Sequence, residues 1–203
     1  MNYELFMGEA LAEAQIALDH GKAPIGAVAV VNDAMVARAH DRVEESNDPT
    51  AHAVVVAVRE AARKLGRARL ADATIFVTRE PCPMCVGVLL ASDVEAIVYA
   101  VSNHVDGAAG GVLQLAQDGR LSRKLKVVSG IRCDEAEELF TRAGPVEKLR
   151  SAERLRPALG CPRSPTVPPR DLPRLPRVAA LVRARPAPSP PTVRAAPSDR
   201  YCS

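Results

Sequence analysis

A pair of cysteines and an upstream histidine are the residues of this chain whose types and spacing best suit metal binding. The cysteines, Cys82 and Cys85, enclose a Pro-Met dipeptide, and His52 precedes them by about thirty residues. Thiolate sulfur and imidazole nitrogen are preferred zinc ligands, and three protein ligands leave the open fourth position of a catalytic site. The pattern therefore predicts Zn²⁺ bound by His52, Cys82 and Cys85.

Each part of this pattern has another explanation when it is taken alone. A C-x-x-C pair is also the spacing of a redox dithiol, and a single histidine more often caps a helix or lies in the core. A structural site with four ligands would need Cys133, Cys161 or Cys202, none of which belongs to a second closely spaced pair. The combination of all three residues favours the catalytic zinc site.

The elements around these residues are expected to bring them together. Residues 51–65 form a predicted helix, capped by the D-P-T sequence at 48–50 and ended by Gly66, with His52 in its first turn. A predicted strand at 73–78 leads to a short helix at 83–91, which begins within the cysteine pair. Free amides at a helix N-terminus stabilise thiolate anions, so two helix N-termini are predicted to converge on one ion.

The remaining pattern alternates between helix and strand. Apolar periodicity predicts helices at residues 3–20, 112–118 and 133–141 and strands at 24–31, 35–39, 95–100 and 125–129. Such alternation is typical of an α/β fold in which helices flank a mixed sheet.

Composition divides the chain into a globular part and a tail. The 203 residues are 47% apolar, no apolar run is long enough to span a bilayer, and a cytoplasmic protein with reduced cysteines and no membrane partner is expected. We predict a domain at 1–144, a linker or short helix at 145–156 and a disordered tail at 157–203, which holds 12 of the 17 prolines. The tail carries eight arginines and two aspartates, a net charge of +6. Because the whole chain has a net charge of +3, residues 1–156 carry −3.

The D-P-T-A-H-A sequence at 48–53 and V-T-R-E-P-C-P-M-C at 77–85 resemble the H-x-E…P-C-x-x-C signature of zinc deaminases. Blocks at 24–28, 67–70 and 106–112 are most similar to bacterial tRNA adenosine deaminases. The resemblance implies a cytidine deaminase-like three-layer α/β/α fold with a five-stranded mixed sheet, a homodimer, and zinc-dependent conversion of adenosine to inosine at the tRNA wobble position. It also implies a substrate pocket that includes Gly26, Ala27 and Asp41, the last at the position of an asparagine that contacts the base.

The signature is broken at its glutamate, because the triplet reads His52-Ala53-Val54. In the family that glutamate transfers protons, which valine cannot do, so no catalytic residue is intact and Asp41 is only a weak candidate substitute. Glu80 accompanies the glutamate in the family, so a structural role is expected for it. Further departures are Arg79 for leucine, Asn103 and Val105 after the fourth strand, and a reduced aromatic and basic ending at 139–142.

Three hypotheses follow from these observations. The first is a hydrolytic deaminase that acts on a tRNA anticodon arm or a free nucleoside and is impaired by the lost glutamate. The alternative is a catalytically inactive zinc-binding partner subunit, which forms a heterodimer with an active deaminase. The third is an engineered or degenerate sequence in which Val54 replaced the glutamate without a new function. Aromatic residues make up 3% of the chain and tryptophan is absent, which leaves few platforms for stacking bases.

Overall fold

The computed structural model describes residues 1–144. The predicted linker at 145–156, the predicted disordered tail at 157–203, Cys161 and Cys202 lie outside the described residues. Within the described part, none of the helices combines the length and apolarity needed to cross a membrane.

The described residues form a five-stranded sheet and five α-helices. The strands are β1 (Gly26–Val31), β2 (Ala34–His40), β3 (Ala73–Arg79), β4 (Ala96–Val101) and β5 (Lys126–Ser129). The helices are α1 (Tyr3–Asp19), α2 (Val43–Ser46), α3 (Ala53–Leu65), α4 (Pro83–Ala91) and α5 (Cys133–Ala143). All five predicted strands are present.

The sheet has the strand order β2-β1-β3-β4-β5. Strand β1 pairs antiparallel with β2 and β3, whereas β3, β4 and β5 run parallel. The tight turn between β1 and β2 places Asn32 and Asp33 at φ 51° and 59°, the left-handed pair typical of a two-residue hairpin. The expected mixed sheet is confirmed.

Helices cover both faces of the sheet and give three layers. Helices α1 and α5 pack on one face against residues that include Val28, Phe76 and Val98. Helices α3 and α4 pack on the other face, where the core includes Ile75 and Ile97. All six residues of β1 are buried, so its sequence is a continuous apolar run rather than an alternating one. The predicted three-layer α/β/α architecture with a five-stranded mixed sheet is confirmed.

The helix predicted at 112–118 is wrong. Only a single 3₁₀ turn forms there, at Leu115–Gln117. The amides of Val112 and Leu113 donate to the carbonyl of Gly107, and the amide of Ala116 donates to the carbonyl of Ala108. These bonds fold the segment back on residues 107–108 and take donors that a continuous helix would use.

The helix predicted at 51–65 begins two residues later, and the chain before it holds the short helix α2, which was not predicted. His52 is the N-cap of α3, with extended φ and ψ of −64° and 150°, rather than a residue of its first turn. Its carbonyl accepts the first helical hydrogen bond, from the amide of Val56 at 3.0 Å. The predicted end at Gly66 is confirmed, with φ 64°.

Candidate active site

Three side chains meet where α3 and α4 begin. The Sγ atoms of Cys82 and Cys85 are 3.7 Å apart, and Nδ1 of His52 is 3.6 Å from each of them. The donor atoms of all three residues lie within 4.8 Å of one another. The ligands predicted from the sequence are therefore positioned to bind a single metal ion.

The separations fit zinc. Tetrahedral coordination with Zn–S of about 2.3 Å and Zn–N of about 2.0–2.1 Å requires about 3.8 Å between sulfurs and about 3.6 Å between nitrogen and sulfur. The observed 3.7 Å and 3.6 Å agree with both values. The donor set and its spacing are thus those of a zinc site with three protein ligands.

The local sequence explains why the three donors point to one place. Cys82 is the N-cap of α4, and Pro83 occupies the first turn of that helix. Cys85 follows Cys82 by three residues, so both sulfurs lie at the N-terminal end of α4. His52 caps α3 in the same way. Because both helices begin at the site, their N-terminal amides supply positive potential that favours thiolates.

The two cysteine thiols contact each other and differ in their pKa shifts. The hydrogen bond between the two sulfurs lowers the pKa of Cys82 to about 4, and contact with His52 acts in the same direction. The same hydrogen bond and burial raise the pKa of Cys85. The pKa values of the two thiols are therefore shifted in opposite directions.

An open pocket adjoins the three donors, with a cavity volume of about 80 Å³. The residues that line it are the one before β1, the one after β2, and others from β3, from the start of both helices and from the segment after β4. They include Ile25, Asp41, His52, Ala53, Val54, Val77, Arg79, Glu80, Pro81, Cys82, Cys85, Asn103, Val105 and Asp106. The pocket thus joins the metal donors, Val54 and Asp41 in one cavity.

Val54 and Asp41 are both buried in this cavity. Val54 is 2% exposed, and Asp41 is 4% exposed. The Asp41 carboxylate accepts a hydrogen bond from the amide of Val43 at 3.2 Å. Hydrogen bonding with Cys82 and burial are the main causes of the raised pKa of Cys85, and the charges of Cys82 and Asp41 add to them.

The predicted substrate residues Gly26 and Ala27 do not line the pocket, whereas their neighbour Ile25 does. Gly26 lies against α1, where a Cβ atom would overlap the backbone of Ala10 and Ala14. Ala27 is fully buried in the core on the other face. The structure gives both residues a packing role, and their contact with substrate stays a prediction.

Glu80 organises the segment that closes the pocket. Its side chain is buried, and its carboxylate accepts hydrogen bonds from the amides of Asn103 at 2.9 Å, Ala109 at 2.9 Å and Gly111 at 2.8 Å. Side chains at Gly107 and Gly111 would overlap this carboxylate. The role expected for Glu80, structural rather than catalytic, agrees with these contacts.

Sequence reasoning missed the part that Asn103 plays in the pocket wall. Its side-chain oxygen accepts from Arg79 at 3.2 Å and from the amides of Val105 and Asp106 at 3.1 and 3.3 Å. The Arg79 guanidinium also lies 5.7 Å from the centre of the Phe140 ring. The glycine-rich sequence at 106–112 is the signal that marks this tightly folded segment.

Comparison with known proteins agrees with this geometry. Residues 1–101 match the cytidine and deoxycytidylate deaminase zinc-binding region. The chain is 42% identical over 132 residues to a tRNA-specific adenosine deaminase of Bacillus subtilis (strain 168), which covers 65% of this chain and 82% of that protein. A tRNA-specific adenosine deaminase of Streptococcus pyogenes serotype M18 (strain MGAS8232) is 37% identical over 149 residues, or 72% of this chain and 94% of that protein.

A solved structure from work on A-to-I editing by tRNA:A34 deaminases has the same fold. It superimposes with a TM-score of 0.64 at 34% identity and covers 66% of this chain and 97% of that one. The similarity in sequence and fold extends over most of the length of these proteins, and the zinc ligands lie within the matched region. The chain therefore belongs to the cytidine and deoxycytidylate deaminase zinc-binding family, and within that family it is similar to tRNA-specific adenosine deaminases.

Proposed function

We propose that this protein holds an adenosine of tRNA beside a zinc ion bound by His52, Cys82 and Cys85, and that its own hydrolytic deamination of that base is impaired. The observation that carries the proposal is the position of Val54. It lines the same pocket as the three metal donors, and it is the second residue after His52, where the family signature has its glutamate.

The chemistry explains the impairment. A zinc ion with three protein ligands supplies Lewis-acid activation of water. The protein must still remove a proton from the attacking water and deliver protons to the ring nitrogen and the leaving ammonia. The Val54 side chain has no group that can accept or donate a proton, and general acid–base catalysis contributes about 10²–10⁴ in rate.

The three carboxylates that line the pocket are poor replacements. Glu80 is engaged by three backbone amides, and Asp106 accepts a hydrogen bond from the Asn103 side-chain amide at 2.5 Å. Asp41 accepts from the amide of Val43 and lines the same pocket as the metal donors, at the position where the family has an asparagine that contacts the base. Asp41 is therefore the candidate for any residual proton transfer.

The substrate follows from the relatives rather than from the pocket alone. Both curated relatives are named tRNA-specific adenosine deaminases, and the solved structure comes from work on wobble-position editing. Deaminases that act on a base in a nucleic acid take it out of the stack into a pocket, and the cavity beside the three donors is open on one side. We therefore assign an adenosine in the anticodon arm as the base that is bound.

The test is inosine formation in an adenosine-34 anticodon stem-loop, with zinc-loaded wild-type protein beside Val54→Glu and Val54→Gln. Glutamine matches glutamate in size but cannot carry the proton. We expect Val54→Glu to react at least about 100-fold faster than the other two proteins. Wild-type turnover as fast as that of Val54→Glu would contradict the proposed impairment.

Asp41→Asn is the matched variant for residual wild-type turnover. The substitution keeps an oxygen that can accept from the amide of Val43 while it removes the titrating group. If Asp41 carries the remaining proton transfer, turnover falls to background while adenosine binding persists. Full residual activity in Asp41→Asn excludes Asp41 as the substitute.

The second candidate function is a zinc-containing partner subunit that does not itself catalyse. The observation that favours it is the completeness of the metal site beside an apolar residue at the proton-transfer position. In its native host this protein would then co-purify with a second deaminase that has an intact H-x-E triplet. Recovery of a homodimer alone, from cells that contain such a deaminase, would contradict this role.

A further inference from the structure

Two short segments hold more than half of the basic residues of the described domain. Residues 1–144 contain fifteen Lys and Arg and twenty Asp and Glu. Eight of the fifteen are exposed residues of 63–69 and 120–126, and we call them the basic face. They are Arg63, Lys64, Arg67, Arg69, Arg120, Arg123, Lys124 and Lys126.

The tertiary structure joins the two segments, which are about fifty residues apart in the sequence. The Asp93 carboxylate pairs with Arg69 at 3.1 Å from one segment and with Arg123 at 2.8 Å from the other. Lys126 pairs with Glu95 at 2.6 Å. Asp93 and Glu95 precede β4, while Lys126 begins β5, so the basic face surrounds the starting ends of the parallel strands.

The charge of this face is opposite to that of the rest of the domain. Its eight cations are accompanied by four carboxylates, Asp72, Asp93, Glu95 and Asp118, which leaves +4. The other residues of 1–144 hold seven cations and sixteen carboxylates, which gives −9. A polyanion is therefore attracted to this face and repelled by most of the remaining surface.

Three cations of the face are available for a ligand. Arg63, Lys64 and Lys124 form no ion pair with another residue in the described range 1–144, and all three are exposed. Phosphate groups are the ligands that Lys and Arg hold through charge and hydrogen bonds. The paired arginines Arg69 and Arg123 keep the two segments in place.

We propose that the basic face binds the phosphate backbone of an RNA substrate at a distance from the reacting base. This inference rests on the proposed function, because it takes RNA as the substrate. The pocket lies at the carboxyl end of β3, and the basic face lies at the amino end of the same strand. The length of β3 separates the two sites by about 20 Å. A ligand that places a base in the pocket and phosphates on the basic face must extend over several nucleotides, so the face adds affinity for RNA and takes no part in the chemistry.

The experiment compares two double variants of the zinc-loaded full chain. Lys64→Gln with Lys124→Gln removes two charges from the basic face, and Lys22→Gln with Arg38→Gln removes two charges elsewhere. Binding is measured across salt concentrations with a 17-nucleotide stem-loop and with a trinucleotide that has a central adenosine. The arginines of residues 157–203 are common to all the proteins, so their contribution cancels.

We expect the basic-face variant to bind the stem-loop roughly tenfold more weakly, with a salt slope smaller by about 1–2, and to bind the trinucleotide as wild type does. The control variant should change neither affinity by more than about twofold. Equal stem-loop binding by both variants would overturn the proposal, as would an equal loss for the trinucleotide. If the basic-face variant loses binding to phosphatidylserine vesicles while its RNA binding is unchanged, the face binds a membrane surface. That result would also overturn the proposal that it binds RNA.

Introducing Val54→Glu into both double variants separates this inference from the proposed function. If the face binds RNA, the basic-face variant raises KM for the stem-loop and leaves kcat unchanged. If Val54→Glu protein makes inosine and KM is the same in both variants, only the basic-face inference fails. If Val54→Glu protein makes no inosine while the basic-face variant still loses stem-loop affinity, the proposed reaction fails and the RNA surface stands.

Discussion

At the residue scale, two buried glutamates serve different parts of the domain. Glu80 is 2% exposed and accepts hydrogen bonds from three backbone amides of the segment that lines the pocket. Glu13 is 6% exposed and contacts Nδ1 of His40 at 3.2 Å, between α1 and β2. Only Glu80 is connected to the pocket, so the pair separates an effect on the pocket from a general loss of stability.

We predict that Glu80→Gln weakens adenosine binding by about tenfold or more and leaves zinc content unchanged. The amide of glutamine turns one acceptor into a donor, so at least one of the three backbone amides loses its partner, at a cost of about 2–3 kcal/mol in the free energy of unfolding. Calorimetric titration of zinc-loaded protein with adenosine measures the first effect. The control Glu13→Gln should lose stability without losing adenosine affinity. Wild-type adenosine affinity in Glu80→Gln would refute the role of Glu80 in holding the pocket wall.

The cysteines permit a second comparison of matched residues. Cys85 is a metal donor, whereas Cys133 lies at the start of α5, with its thiol 3.6 Å from Glu137. We predict that Cys85→Ser reduces bound zinc well below one ion per chain, because a serine hydroxyl is a poor ligand for zinc beside sulfur and nitrogen. Cys133→Ser should keep full zinc content by elemental analysis. Full zinc content in Cys85→Ser would remove that residue from the site.

At the scale of the elements, the close approach of α1 to β1 depends on Gly26. A Cβ atom at this position would overlap the carbonyl oxygen of Ala10 and the amide nitrogen of Ala14 on the helix. Gly87, on α4, has open space at the corresponding point. The two glycines therefore differ in packing, although each lies within a regular element.

We predict opposite effects on stability from alanine at these two positions. Gly26→Ala forces α1 away from the sheet and lowers the free energy of unfolding by about 1–3 kcal/mol or more. Gly87→Ala adds a better helix former in open space and raises it by about 0.5–1 kcal/mol. Urea denaturation of the zinc-loaded proteins measures both. Equal effects of the two substitutions would show that close packing of α1 is not what selects glycine at 26.

At the scale of the whole molecule, the metal site ties two crossovers of the chain together. His52 begins α3, and Cys82 and Cys85 begin α4, so one ion joins helices that are separated in sequence by β3. A ligand that binds only the folded state stabilises it by mass action. Zinc is thus expected to support the fold in addition to its role in the pocket.

Removal of zinc by a chelator should lower the melting temperature, and added zinc should restore it. At a free zinc concentration a thousandfold above its dissociation constant, zinc binding raises the free energy of unfolding by about 4 kcal/mol. Differential scanning calorimetry of wild-type protein with and without chelator measures the shift, with Cys85→Ser as the variant that should not respond. A melting temperature that is independent of zinc in wild-type protein would contradict a stabilising role.

Much of this domain could be predicted from the sequence because its signals are local. Apolar periodicity and turn residues predict each strand and the long helices, and the D-P-T-A-H-A and P-C-P-M-C sequences predict the zinc ligands. The identity of residue 54 is likewise a property of the sequence, and the proposed impairment depends on it. These features need only the residues themselves and their spacing along the chain.

Other features were decided by tertiary structure because they depend on contacts between distant residues. The amides that donate to Glu80 lie 23 to 31 positions further along the chain. Hydrogen bonds to the carbonyls of Gly107 and Ala108 replace the predicted helix at 112–118 with a folded loop. The contact of Gly26 with α1 and the bridge of Asp93 between two basic segments arise in the same way. Hydrogen bonds, steric contact and charge act through space, so the pocket wall and the basic face take shape only when the sheet has brought these segments together.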